Sequence, residues 1–279
     1  MNQAVSAHRM LNSIEDGSKA LLKDAATVLL KFPELNYMVI GGWCPVLRNK
    51  TKIRHPGTLD VDLLFRDSYR TGNINGVISS FLEAGFCPSA KHPFQLMKSQ
   101  TIKDKNFIFN IDLLHPNMIN DKKTFGLFVD HLDLDVPLGN NEIETRRMKS
   151  IVLPNSDVLF SEGLFSRESI ESVEFNLVSF DGMFVTKMDS CQKQKRARDS
   201  FDIYLGFLGK CIDVFRLKNL AEKDERISSS IYAFSSYLRN KSAEFNDNVK
   251  MFCDQCNDSP ANFVLRCLDE AKISQSGAK

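Results

Sequence analysis

The chain has no excess of charge of either sign. Its 279 residues carry 36 Lys and Arg against 35 Asp and Glu, a formal net charge of +1. No global field therefore draws it to nucleic acid or to an anionic surface, and any polyanion binding has to come from a local patch. No uninterrupted apolar run approaches the roughly 18 residues of a membrane-spanning helix. The opening residues, MNQAVSAHRMLNSIEDG, lack the apolar stretch of a secretory signal. A cytoplasmic protein that makes no membrane contact is expected. A disulfide framework is also missing, because the seven cysteines are odd in number and scattered along the chain, which fits reduced thiols. Cys253 and Cys256 form a CxxC pair, but no second Cys or His pair stands at the spacing a structural zinc requires. Neither GxxxxGK[ST] nor a GxGxxG after a strand occurs, which excludes P-loop and Rossmann phosphate binding. There is no internal repeat.

What is present is an ordinary globular composition, 43% hydrophobic and 25% charged, on a chain long enough for a good core and for two domains. Apolar residues at helical spacing predict a helix over 14–32, ended by Pro33, and another over 73–84 with Gly85 at its C-terminal cap. Short apolar or alternating runs predict strands at 37–40, 59–65, 94–97 and 106–114, and further ones at 148–153 and 173–178. Residues 120–141 carry no clear period. From residue 181 onward strand signals vanish, and helices are expected over 181–191, 200–208, 213–221, 227–239 and 262–271. The fold class is α+β: a mixed-sheet domain over 1–160, then a mostly helical domain over 161–279.

The chemistry lies between residues 37 and 65, YMVIGGWCPVLRNKTKIRHPGTLDVDLLF. An apolar run stops at Gly41-Gly42, a basic loop follows, and a second apolar run carries Asp60 and Asp62. Side chains at i and i+2 of a strand point to one face, so both carboxylates look at the same space while Leu59, Val61 and Leu63 are expected to enter a core. Asp112, within the apolar run NFIFNIDLL, adds a third if its strand lies alongside. Like charges held together need a cation, and three carboxylates suit two Mg2+ ions. A glycine pair at a strand end lets backbone N–H groups approach a phosphate, and a helix starting near Cys44-Pro45 adds its positive end. Lys187, flanked by Phe184, Val185 and Met188, is expected to be partly buried and to face an anion, and Arg198 offers a planar fork for phosphate. The basic residues Arg48, Lys50, Lys52, Arg54 and His55 form a loop suited to a triphosphate or an RNA, or simply to solvent.

Glycine pair, spacer, Asp-x-Asp and later strand aspartate resemble the nucleotidyltransferase superfamily that includes DNA polymerase beta. Gly42-Trp43 stands where glycine-serine is common, and the spacer to Asp60 is longer than usual. Residues 175–205, FNLVSFDGMFVTKMDSCQKQKRARDSFDIYL, resemble the helical region of AbiEii-type nucleotidyltransferases, the toxins of abortive-infection and toxin–antitoxin pairs. Lys187 matches that family's lysine, Lys195, Arg196 and Arg198 its basic stretch, and Asp199 and Asp202 its acidic end. The resemblance implies a nucleotidyltransferase with its active site in a cleft between the two domains. Asp60, Asp62 and Asp112 would be catalytic and would hold Mg2+, while Gly41, Gly42, Lys187, Arg198, Asp199 and Asp202 would bind the nucleotide. It further implies a nucleoside triphosphate donor, a tRNA or protein acceptor and an antitoxin partner. Two alternatives stay open. Gly41-Gly42-Trp43 with Arg54 and His55 also resembles antibiotic nucleotidyltransferases, and a degenerate, non-catalytic binding module would keep the same fold.

Overall fold

The computed structural model describes residues 2–66, 73–89, 91–102, 104–116, 128–139, 142–194 and 196–271. Lys195 and the 274–279 tail lie outside them. Two compact units emerge. One comprises Met1–Trp43 with Gly57–Leu177, the other Cys44–Pro56 with Val178–Lys279. A mixed α/β sheet region is followed by a mostly helical one, as the loss of strand signals beyond residue 181 implied.

The first unit runs α1 (Asn2–Leu29), β1 (Tyr37–Ile40), β2 (Asp60–Phe65), α3 (Asn73–Glu83), β3 (Cys87–Pro88), β4 (Gln95–Ile102), β5 (Lys105–Pro116), β6 (Phe128–Gly139), β7 (Glu142–Lys149), β8 (Ile151–Leu153), α4 (Asp157–Ser161), β9 (Phe165–Ile170) and β10 (Val173–Val178); α2 (Trp43–Arg48), between β1 and β2 in the chain, belongs almost wholly to the second unit. The main sheet has the order β3-β4-β5-β2-β1-β10-β9, and β6 and β7 form a separate antiparallel ribbon. β5 is parallel to β2, antiparallel to β4 and, at its C-terminal end, parallel to β8. Because Leu114 pairs with Leu64 of β2 on one side, β8 takes over the other side where β4 ends.

Alternation decides the faces. Val61, Leu63 and Phe65 of β2 and Phe109, Ile111 and Leu113 of β5 are buried, while Asp60, Asp62, Asn110 and Asp112 fall on the opposite side of the pleat. α1 packs on β2, β4 and β5. The approach is close enough that a Cβ on Gly17 would overlap Ile102 and Phe109, which explains a glycine inside a long helix that would otherwise lose stability to it. β1 is buried along its whole length, as a central strand should be.

The second unit also contains α5 (Phe180–Lys187), α6 (Ala197–Leu208), α7 (Val214–Lys223), α8 (Glu225–Asn240), α9 (Ser242–Lys250) and α10 (Pro260–Glu270), with a 3-10 turn at Ser190–Gln192. Several helix starts are written in the sequence. Asp213 accepts from the N–H groups of Phe215 and Arg216, Asp224 from Arg226, and Ser259 from Asn262 with Pro260 just inside the helix. α6 is buried from Asp199 to Phe207. Edge-to-face aromatic pairs, Phe184 with Phe207 and Phe234, and Phe234 with Phe245, fill the space among α5, α6, α8 and α9.

Expectation and structure part in four places. Leu59 is 54% exposed and precedes the strand rather than entering the core. β4 continues to Ile102, well beyond residue 97, because its partner β5 runs alongside it to Lys105. β9 and α9 carry too few buried residues to announce themselves: β9 buries only Ile170, and α9 only Phe245 and Val249. The stretch without a clear period contains the whole of β6, whose Pro137 is tolerated in a two-stranded ribbon with open edges. Among the described residues, no helix is long and apolar enough to cross a membrane.

Candidate functional site

β1 ends at Ile40, and the chain turns at once through Gly41, whose φ of +76° is a left-handed conformation that glycine adopts without strain. A Cβ there would also overlap the Asp62 carboxylate. The turn and the acidic strand are therefore mutually fitted. Gly42 and Trp43 follow, both buried, and the Trp43 indole N–H donates to the Asp60 carbonyl at 2.8 Å. The tryptophan is a core residue that clamps the first residue of β2 in place.

Register then assembles the carboxylates. Asp62 pairs with Ile40 on one side and with Asp112 on the other, and Asp112 pairs in turn with Gln95. Asp60 is opposite Asn110. Adjacent strands lie about 4.8 Å apart, so Asp62 and Asp112 are lateral neighbours on one face of the sheet. Each of the three aspartates is only partly buried. The Thr58 hydroxyl donates to Asp60 Oδ1 at 2.7 Å. Gln95 Nε2 and Asn110 Nδ2 both donate to Asp112 Oδ1, at 2.9 and 2.8 Å. Burial pushes the Asp112 carboxyl above the usual carboxylate range and the charge of Asp60 adds to the rise, against the two amide hydrogen bonds and His92.

Among the described residues no group of three or more His, Cys, Asp or Glu side chains is placed to hold a metal ion as it stands. The donor set nonetheless suits a hard divalent cation, being all oxygen. Mg2+ is commonly held by one or two carboxylates plus substrate phosphates and waters rather than by an all-protein cage.

The remaining residues singled out from the sequence lie in the helical unit, where most of them form a closed network. Lys187, 5% exposed, donates from Nζ to Asp199 Oδ1 at 2.7 Å and to Asp202 Oδ2 at 2.5 Å. His55 Nε2 bonds Asp202 Oδ1 at 2.8 Å, and Ser190 Oγ donates to Asp199 Oδ2 at 2.7 Å. All four carboxylate oxygens are thus engaged. Burial pulls the Lys187 pKa down, but Asp202 and Asp199 raise it by more, and it ends above the ordinary lysine value. Burial likewise raises Asp202, but Lys187 and then His55 outweigh it, and its carboxyl ends below the usual value. The His55 ring stacks on Phe201, with centroids 5.9 Å apart. Arg198, beside Asp199, is half-buried, while Arg196 and Lys193 are exposed.

Five participants escaped the sequence reading of roles: Thr58, Gln95, Asn110 and Ser190, together with the burial of His55. Asn110 stands at i−2 from Asp112, so period two placed it on the same face. Nothing local marks Gln95, because only cross-strand pairing brings it to Asp112. The basic loop that carries His55 is organised by Asn49, which donates to the Ile53 carbonyl at 2.6 Å and accepts from the Thr51 N–H at 2.9 Å. Lys50, Lys52 and Arg54 stay exposed on it.

No protein-family model matches the chain, and no curated protein matches it. Among solved structures, an antigenic nucleotidyltransferase-like protein from Paracoccidioides brasiliensis is similar, at 14% identity and a TM-score of 0.36, over 77% of this chain and 92% of its own.

Proposed function

We propose that the chain is a Mg2+-dependent nucleotidyltransferase that moves a nucleoside monophosphate from a triphosphate to a hydroxyl acceptor. The observation that supports it most directly is the register of β2 against β5, which sets Asp60, Asp62 and Asp112 on one sheet face beside the Gly41–Gly42 turn. In the reaction the acceptor oxygen bonds to the α-phosphorus, the bond to the β,γ-diphosphate breaks, and pyrophosphate leaves with the electron pair. Asp60, Asp62 and Asp112 would hold Mg2+, which when bound neutralises triphosphate charge and lowers the pKa of the attacking hydroxyl. Backbone N–H groups of the Gly41–Gly42 turn would bind phosphate oxygens at a point where no side chain intervenes. Asp112 would take the acceptor's proton.

Lys187 is already neutralised by two carboxylates, so we assign it to holding α5 against α6 rather than to gripping phosphate. For the acceptor we propose a tRNA end or a protein rather than a compact drug. The exposed cations of the 48–55 loop, and Lys193 and Arg196, suit a large anionic partner at a net charge too small to attract one globally. A toxin role with a neutralising antitoxin follows from the AbiEii resemblance.

The test is incubation with labelled nucleoside triphosphates, Mg2+ and cell extract, for the wild type beside Asp62→Ala. Label passing into RNA or protein and lost in the variant upholds the proposal. Label in a small molecule replaces the acceptor. Transfer to nothing, with no nucleotide bound, rejects the enzyme.

A further inference from the structure

Among the described residues the donors that meet Asp60 and Asp112 are neutral, and each takes an Oδ1 atom. Thr58 holds Oδ1 of Asp60, and Gln95 and Asn110 together hold Oδ1 of Asp112. Among the described residues Oδ2 of Asp60 and Oδ2 of Asp112 have no hydrogen-bond partner. The contrast with Asp199 and Asp202, whose four oxygens are all taken up and whose charge is met by a lysine, shows how this chain satisfies a carboxylate whose task is structural. At Asp60 and Asp112 it does something else.

A carboxylate rotates about a soft terminal torsion. Two amide donors on one oxygen stop that rotation and fix where the second oxygen lies, and neutral donors do so without cancelling the charge. The anchors are themselves held. Gln95 donates its N–H to the His92 carbonyl and accepts from the Ser89 N–H, both at 2.9 Å, while the His92 N–H donates to the Ser89 hydroxyl at 3.1 Å. Just before it, the Phe94 carbonyl accepts from Leu113 at 2.9 Å. Asn110 is fixed by strand pairing on both sides. Thr58 is 3% exposed.

We infer that Thr58, Gln95 and Asn110 are positioning residues that anchor Oδ1 of Asp60 and Asp112 so that Oδ2 of each is presented to a divalent cation. The choice of a cation as what Oδ2 meets rests on the nucleotidyl-transfer reading. The role of the three donors rests on the hydrogen bonds themselves.

The experiment uses the full chain and two readouts: Mn2+ binding followed by electron paramagnetic resonance with Mn2+ alone, and steady-state transfer. Near-isosteric variants remove each donor: Thr58→Val, Gln95→Met and Asn110→Leu, with Thr58→Ser as the conservative control. Removing a group that orients a metal ligand costs about 10- to 100-fold in affinity or activity. Mn2+ affinity and kcat are expected to fall by about that factor while KM for the nucleotide holds, and Thr58→Ser is expected to keep both. In an Asp112→Ala background, Gln95→Met and Asn110→Leu are expected to cost nothing more, because they act only through Asp112. Folded variants that bind Mn2+ as the wild type does overturn the inference. If the wild type transfers no nucleotide, the function proposal fails and the Mn2+ readout alone decides the positioning role. Affinity that depends on the donors upholds it, and affinity indifferent to them overturns it.

Discussion

The molecule contains two sets of aspartates that look alike in sequence and are treated in opposite ways. In the helical unit, Asp199 and Asp202 are buried, share the Lys187 ammonium, and have every oxygen bonded. In the sheet unit, Asp60, Asp62 and Asp112 line one face, and among the described residues the hydrogen bonds to Asp60 and Asp112 come from a hydroxyl and two amides, none of which carries charge. The electrostatics follow. Asp202 ends below the ordinary carboxylate value because a cation outweighs its burial. Asp112 ends above it because burial and Asp60 outweigh its two amides. One region is a finished structural joint. The other is the row of partly buried carboxylates on which the proposed cation site rests.

The largest expected effect breaks the joint. Lys187→Met strands two buried carboxylates, and removing one partner of a buried ion pair costs about 3–5 kcal/mol, to be read as a lowered denaturation midpoint. Met in place of Lys changes shape little, so a loss below about 1 kcal/mol would show that Lys187 does not cross-link α5 to α6.

Next comes Gly41→Ala. A left-handed residue with a Cβ costs about 1–2 kcal/mol, and the new methyl must displace the Asp62 carboxylate. Transfer activity is expected to fall far more than stability does. Equal activity would detach the turn from the acidic row.

The smallest effect separates the regions by pH. Asp112 has a raised folded pKa, so the fold binds its proton more tightly than the unfolded chain does. Its ionisation costs stability as pH rises through that window. Asp112→Asn removes this cost and is expected to be more stable than the wild type at pH 7 but not at pH 3, by denaturant unfolding. Asp202 has the reverse sign. Its contribution is present above the ordinary value of 3.8 and is lost as pH falls through its lowered folded value. An Asp112→Asn variant less stable than the wild type at pH 7 would mean that its charge is already compensated in the protein.

Much of the fold was legible because its signals are local. Period two located β2 and β5, the 3.6-residue period with capping residues located most helices, and the disappearance of strand signals beyond residue 181 marked the helical region. The site residues were legible as types, since aspartates within apolar strands and a lysine among apolar neighbours are expensive wherever they fall. Their division of labour was not. Lys187 read equally well as an anion receptor and as the partner of Asp199 and Asp202. His55 read as one of several loop cations, because its burial depends on a loop folding back onto α6.

The sequence by itself determined which residues carry charge into the interior, which strand face Asp60 and Asp62 share, and where the chain must turn at Gly41. Those follow from bond geometry and from the period of the pleat. Tertiary structure alone decided that Asp112 lies beside Asp62, that Gln95 reaches Asp112, and that Lys187 is met by Asp199 and Asp202. Strand order and helix packing are settled by contacts between residues far apart in the chain, and no local pattern encodes which carboxylate will meet a lysine and which will meet a neutral amide.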